Sequence, residues 1–423
     1  MLADRYAQNP WWVVFATLLG LVVGQGTIEL FCFSVFLKPL GDGLGLSRGT
    51  LSSALLMASL AAAVATPFAG ALIDRYGSRA IMLPGIAAFA IAVMARSALP
   101  GSSAAAVYVL FLLGGLCSAV QTPIIYAAIV CRWFDQQRGL ALGVAMAGTG
   151  VGAFIIPAMI AAVINNHGWR VGYVVLGGLI IIGALLPVAL FIRDPARKDA
   201  APIGRQANAS TLEWTFRRAV SRSWRFWLLS LTFLVGSTCL FGTFVHAVAI
   251  LTDRGVGPQA AAAALSMAGM SMVAGRIATG YGLDRVHGPS VAILSFLVPA
   301  AGIAMLASGM NASIPFLAVV LCGFGQGAQV GLQPYFASRY FGLKSLGSIS
   351  GAMFSLFLVG TGLGPYISGT CFDRWHSYTP VLAGYAAALA LVSFSFAVLG
   401  PQPFAAKRQP LSQLHPAALA IET

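Results

Sequence analysis

The chain has 423 residues, of which 58% are hydrophobic and only 9% charged, with a formal net charge of +13; its mean hydropathy is +0.84. Soluble domains carry about 25% charged residues, so this chain cannot cover its surface with polar groups, and its natural solvent is a lipid bilayer. The basic residues are spread between apolar runs instead of forming one stripe with aromatics, which argues against a nucleic-acid partner and points to anionic lipid headgroups.

Taken in chain order, the first apolar run is Trp11 to Leu37. It is too long for the apolar region of a cleavable signal, so it is expected to remain as the first transmembrane helix. A span needs roughly 20 mostly apolar residues. The sequence predicts spans over 11–37, 49–73, 80–99, 104–130, 139–164 and 171–192, then 226–251, 260–283, 290–308, 313–336, 346–370 and 378–399. The expected fold class is therefore an all-α membrane protein of twelve transmembrane helices in two six-helix halves. The halves are 1–192 and 226–400, with a linker at 193–225 and a tail at 401–423. Counting Lys and Arg in the segments and span ends on each side puts 18 of the 25 on the side of the N-terminus and 6 on the other, with Arg276 inside a span. By the positive-inside rule both termini are expected in the cytoplasm.

The two halves repeat motifs. Gly70–Gly77 (GALIDRYG) ends the second span and Gly280–Gly288 (GYGLDRVHG) ends the eighth. Arg132-Trp133-Phe134 precedes the fifth and Arg339-Tyr340-Phe341 the eleventh; Gly148-Thr149-Gly150-Val151-Gly152 recurs as Gly360-Thr361-Gly362-Leu363-Gly364. Internal repeats around a midplane site are a feature of secondary transporters. The glycine runs follow no strand, so close helix packing explains them better than nucleotide binding, and no Walker sequence supports ATP-driven pumping. The six cysteines show no metal spacing and read as small packing residues. No cofactor or metal is expected.

The loop Asp74-Arg75-Tyr76-Gly77-Ser78-Arg79 resembles the signature between the second and third helices of the major facilitator superfamily. Ala80 stands where many members have another basic residue. Gly77 permits the tight turn, and Asp74 can face a helix N-terminus. The resemblance implies a major facilitator fold and a cytoplasmic gate made by Asp74, Arg75, Gly77 and Arg79, with Asp284 and Arg285 at the repeated position. Arg132-Trp133-Phe134 with Arg138-Gly139-Leu140-Ala141-Leu142-Gly143, and Gly275-Arg276 in the eighth helix, are similar to the monocarboxylate porter and oxalate/formate antiporter branch.

Glu29 and Arg276 are the charges expected well inside spans, where a charge costs about 2.5–3.5 kcal/mol on insertion scales. Arg276 lies roughly 12 Å in from Asp284 at the helical rise per residue. It reads as a clamp on a substrate carboxylate, the work the resemblance gives an arginine here, or as a structural arginine on backbone carbonyls. Glu29 reads as a proton-coupling acid or as a paired structural group. His246 reads as a proton carrier or as a hydrogen-bonding residue, and a Glu29–His246 pair is one expectation. Gln326, Gln329 and Gln333 share one face of the tenth helix. Together with Gln25, Gln121, Thr122 and Tyr126 they are candidate substrate-binding or interhelical groups. Phe31, Phe33 and Phe36 read as packing or as an apolar wall. The monocarboxylate carriers of mammals have a Lys where this chain has Phe31 and an Asp where it has Met272, so their proton step does not transfer to these positions. The oxalate exchangers have a second basic residue in the eleventh helix; here 346–370 has none. One cation suits one carboxylate.

The expected function is secondary transport of a small organic anion, most simply a monocarboxylate, by proton symport or anion exchange, with the monomer as functional unit. Efflux of another compound class is the competing carrier reading. A membrane sensor that kept a carrier fold would need a larger soluble domain than linker or tail supplies.

Overall fold

In hydrocarbon every backbone N–H and C=O must be satisfied within the chain, which leaves helices as the economical way for such apolar segments to cross. The computed structural model describes residues 9–101, 103–134, 137–193, 216–308, 314–342 and 346–400, and among these no strand occurs. Among the described residues, eleven apolar helical runs are long enough to cross a membrane. The first four are α1 (Trp11–Leu44), α2 (Arg48–Tyr76), α3 (Ser78–Ala98) and α4 (Ala104–Trp133). The helix assigned to Arg138–Ile180 runs on through a π turn, Ile181–Leu185, to Phe191. Gly168 inside it has φ 82 and ψ 166, which no helix allows. It is therefore two spans, α5 (138–167) and α6 (169–191), which brings the total to the twelve expected. The last six are α7 (Trp224–Asp253), α8 (Pro258–Arg285), α9 (Gly288–Ala307), α10 (Ile314–Phe341), α11 (Leu346–Trp375) and α12 (Thr379–Val398). Most of the linker and the whole of the tail lie outside the described residues; a short helix, Phe216–Arg222, precedes α7.

The repeated glycine runs show why they repeat. A Cβ on Gly148 would sit 2.2 Å from the Leu18 carbonyl oxygen, and one on Gly152 2.1 Å from that of Val22, so both seat α5 on α1. Gly360 and Gly364 seat α11 on α7 in the same way, with the Thr238 carbonyl oxygen 1.9 Å from a Cβ on Gly364. The middle glycine of each run faces the other six helices: Gly150 meets Val273 of α8, and Gly362 meets Ser59 of α2. One motif thus fixes both the packing within each set of six and the seam between the sets. Gly364→Ala forces backbone apart and is expected to destabilise the protein by about 1–3 kcal/mol, the usual cost of overpacking. A lowered unfolding temperature of the purified variant would register it, and an unchanged one would show that α11 can shift without cost.

A set of polar bonds closes the seam at the end of the bundle that carries Arg48. Arg48 donates to Asp253 at 2.6 and 3.2 Å and to the Tyr378 hydroxyl at 2.8 Å, and Lys38 lies 2.5 Å from Asp253. The Gly49 N–H donates to Asp373, the Val248 N–H to Ser34, and Ser52 meets His246. The opposite end carries Asp74.

Candidate substrate site

Two helices break in mid-span at the same contact. In α1 the helix loosens at Val23, with φ −110 and ψ 26, and resumes as a π turn over Gly26–Phe31. In α4 a 3-10 turn at Ala119–Gln121 ends on Thr122, extended at φ −80 and ψ 147, and Pro123 starts a new helix. A residue before proline avoids the helical region, so the break was readable in the sequence and was missed. The two irregular stretches touch: a Cβ on Gly24 would lie 3.3 Å from the Gln121 carbonyl oxygen, and Gly20 is covered by the Tyr126 ring. The Tyr126 hydroxyl donates to Gln121 Oε1 at 2.9 Å, which leaves Gln121 Nε2 without a protein partner. Irregular backbone at membrane depth is tolerated where protein or a water-filled cavity covers it, and interrupted helices are where carriers place their sites.

The breaks connect to Arg276 by direct packing. Thr149 of α5 touches the position of Gly26 in α1, Gly150 packs on Val273 of α8, and the Arg276 guanidinium donates across the seam to the Met146 carbonyl. Met146 lies eight residues into α5, which matches the depth of Arg276 in α8 at about 1.5 Å per residue. The side chain is half-buried and its Nε has no protein partner. Among the described residues no carboxylate pairs with it. Gly327 of α10 in turn packs on the Met272 backbone of α8. Gln326, Gln329 and Gln333 are buried, and Gln326 Oε1, Gln333 Nε2 and both polar atoms of Gln329 lack protein partners. Gln329 is directed at Gly236 of α7, close to Phe296. Gln25 is buried as well. A buried amide left unpaired costs about 1–3 kcal/mol, so a row of such groups marks a place where a polar partner would be favourable.

Glu29, in the π turn of α1, has a partner at the outer end of the predicted span 80–99. Arg96, in the last turn of α3, holds it with two hydrogen bonds of 2.6 and 3.0 Å, and both residues are buried. The Arg96 guanidinium also lies 4.0 Å from the Phe111 ring centroid, and Arg170 caps the end of α3 on the Ser97 and Leu99 carbonyls. The expected Glu29–His246 pair is thereby replaced. His246 Nδ1 is 2.8 Å from the Tyr378 hydroxyl, and its Nε2 is 3.1 Å from Ser52 Oγ and 3.0 Å from the Pro365 carbonyl. The rule that a buried charge needs a counter-charge could have pointed from Glu29 to an arginine at the close of a neighbouring apolar run.

Phe31, Phe33 and Phe36 pack on Phe244, Phe111 and Tyr173 respectively. Phe31 and Met272 are both buried apolar positions. At the Asp74 end, Gly77 turns the chain at φ 93, and Asp74 pairs with Arg132 of its own six helices. Arg75 lies over Tyr76 and Arg285 over Tyr281, at 5.2 and 4.3 Å from the ring centroids. Arg79 is exposed, and the Asp284 side chain lies outside what the structure describes.

Comparison with known proteins places this geometry. A family profile described as Major Facilitator Superfamily matches residues 17–365. Monocarboxylate transporter 13 of Rattus norvegicus is 29% identical over 84% of this chain and 81% of its own. Monocarboxylate transporter 12 of the same species is 27% identical over 70% and 68%, and the uncharacterized MFS-type transporter YcxA of Bacillus subtilis (strain 168) is 24% identical over 91% and 95%. Among solved structures, the nucleoside transporter NupG superposes with a TM-score of 0.71 at 15% identity, covering 94% of this chain and 99% of that one.

Proposed function

The chain belongs to the Major Facilitator Superfamily and is a membrane transporter, not an enzyme, and from that premise we propose that it carries a small organic monocarboxylate by proton symport or anion exchange. One observation carries the reading. The buried Arg96 at the end of α3 is neutralised by Glu29, while Arg276, well inside α8, has a carbonyl for its partner and keeps an unbonded Nε at the seam. A guanidinium stays charged, and its fork matches a carboxylate with two charge-assisted bonds. The substrate carboxylate takes the place of the Met146 carbonyl, and the unpaired amides of α4 and α10 serve the rest of a small polar molecule. The names of the relatives support the same class. Glu29 is then a structural group, since its carboxylate is already committed.

In this reading residues 1–192 and 226–400 rock as two bodies about the midplane. Both termini face the cytoplasm, the Arg48 end faces outward, and one chain is the working unit. The test is a thermal-shift screen of the purified protein against mono- and dicarboxylates. A ligand at about a hundred times its Kd adds about 2.7 kcal/mol to the state it binds. Small monocarboxylates are expected to raise the unfolding temperature of the wild type and to leave Arg276→Gln unmoved. Stabilisation that persists in the variant would take the site away from Arg276.

A further inference from the structure

We propose that the Arg48 end is a proton-released latch, with His246 as the group that takes the proton and Tyr378 as the link that transmits it. The proposal rests on the transport reading only for what the opening serves.

Hydrogen-bond direction fixes the chemistry. The Pro365 carbonyl can only accept, so Nε2 of His246, 3.0 Å away, carries a hydrogen. Arg48 has only donors, so the Tyr378 hydroxyl accepts from it at 2.8 Å. That hydroxyl has one hydrogen left to give, and it points to His246 Nδ1 at 2.8 Å. Burial pushes the Tyr378 phenol above its ordinary range, so it remains a donor. The chain therefore runs Arg48 to Tyr378 to His246 to Pro365, joining α2 of the first six helices to α7 and α11 of the last six. It requires a neutral imidazole. A proton on Nδ1 would set two cationic donors on one phenol oxygen and leave the phenol hydrogen without its acceptor. The imidazolium thus does not fit the closed seam, whereas in water an imidazole takes a proton near pH 6.5.

Other groups face the ring or its partners. Ser52 comes from α2, and Asp253, on the helix of His246, is held by Arg48 and by Lys38 of α1. Asp373 of α11 accepts from the Gly49 N–H. A hollow of about 140 Å³ is lined by Asp253, Tyr378 and His376, and one of about 410 Å³ by Lys38, Arg48 and Asp373, so water reaches the far side of the tyrosine. His376, the other imidazole at this end, lies against Phe372 and outside the hydrogen-bonded chain, and it serves as the control. Acid on this face would then open the carrier toward the side that supplies the proton, as a symporter needs.

The test needs no cargo. Spin labels on Ser47→Cys and Trp375→Cys, both exposed and on opposite sides of the seam, in a background with the native cysteines replaced, report the width of the Arg48 end. In lipid, lowering the pH from about 8 to about 5 is expected to convert a short distance to a longer one. The open-to-closed ratio should change by at most about tenfold per pH unit, the limit for one proton. His246→Gln is expected to abolish the pH response, Tyr378→Phe to leave the end wide at every pH, and His376→Gln to behave as wild type. A wild type whose distances ignore pH, or a His246→Gln variant that still responds, would overturn the latch. Substrate binding at Arg276 could survive either result, so the two readings fail separately.

Discussion

Arg276→Gln is expected to abolish carboxylate uptake while the protein remains folded in the membrane. Hydrogen bonds to a charged group contribute about 1.5–3 kcal/mol each. Losing even one such bond corresponds to roughly a ten- to hundredfold weaker substrate affinity, and losing a bidentate pair to more. Glutamine is two bonds too short to keep the bond to the Met146 carbonyl, but it also removes a charge that has no counter-charge among the described residues, so folding should be little changed. Arg276→Lys separates charge from geometry. An ammonium keeps the attraction but loses the planar fork, so partial uptake with a raised KM is the expected result. Uptake by Arg276→Gln at the wild-type rate, in proteoliposomes loaded with equal protein, would make Arg276 structural.

Glu29→Ala is expected to be the most destabilising single change in the first six helices. Removing one partner of a buried ion pair leaves an uncompensated charge and costs about 3–5 kcal/mol. Here the orphan would be Arg96, 1% exposed and boxed in by Phe111 and Gly114. Replacing both partners by apolar residues of similar size, Glu29→Leu with Arg96→Met, should recover most of the loss, because well-packed apolar pairs often equal a buried ion pair. Unfolding temperatures of the two variants decide the matter. A Glu29→Ala protein as stable as wild type would mean the pair is not held as the structure shows. Glu29→Gln distinguishes the alternative role: a proton-coupling acid would lose pH-driven uptake without loss of stability, whereas a structural acid loses stability first.

The number of spans was legible because bilayer thickness sets a length that apolar runs either reach or do not. The glycine repeats were legible as packing because only glycine lets two backbones meet at such distances, and the structure adds that each middle glycine serves the seam. The site was legible only by residue type. Arg276 and the three glutamines stand out as polar groups in apolar runs, but the partner of Arg276 is a backbone carbonyl, which every residue has and no sequence marks. Arg96 falls near the outer end of an apolar run, where a long side chain can reach either water or the core, so its sequence position does not mark it as buried. The contacts of His246 lie 119 to 194 residues away along the chain. A lone membrane histidine therefore shows that a partner is needed without showing which.

The most direct measurement is calorimetric titration of the purified carrier with a small monocarboxylic acid and with its uncharged amide, a pair of nearly equal size that differs in the negative charge. Binding of the acid, with the amide at least about tenfold weaker, a difference of about 1.4 kcal/mol, is the expected result for a cargo held by one unneutralised guanidinium. Equal binding of the two, or binding of the amide alone, would contradict it.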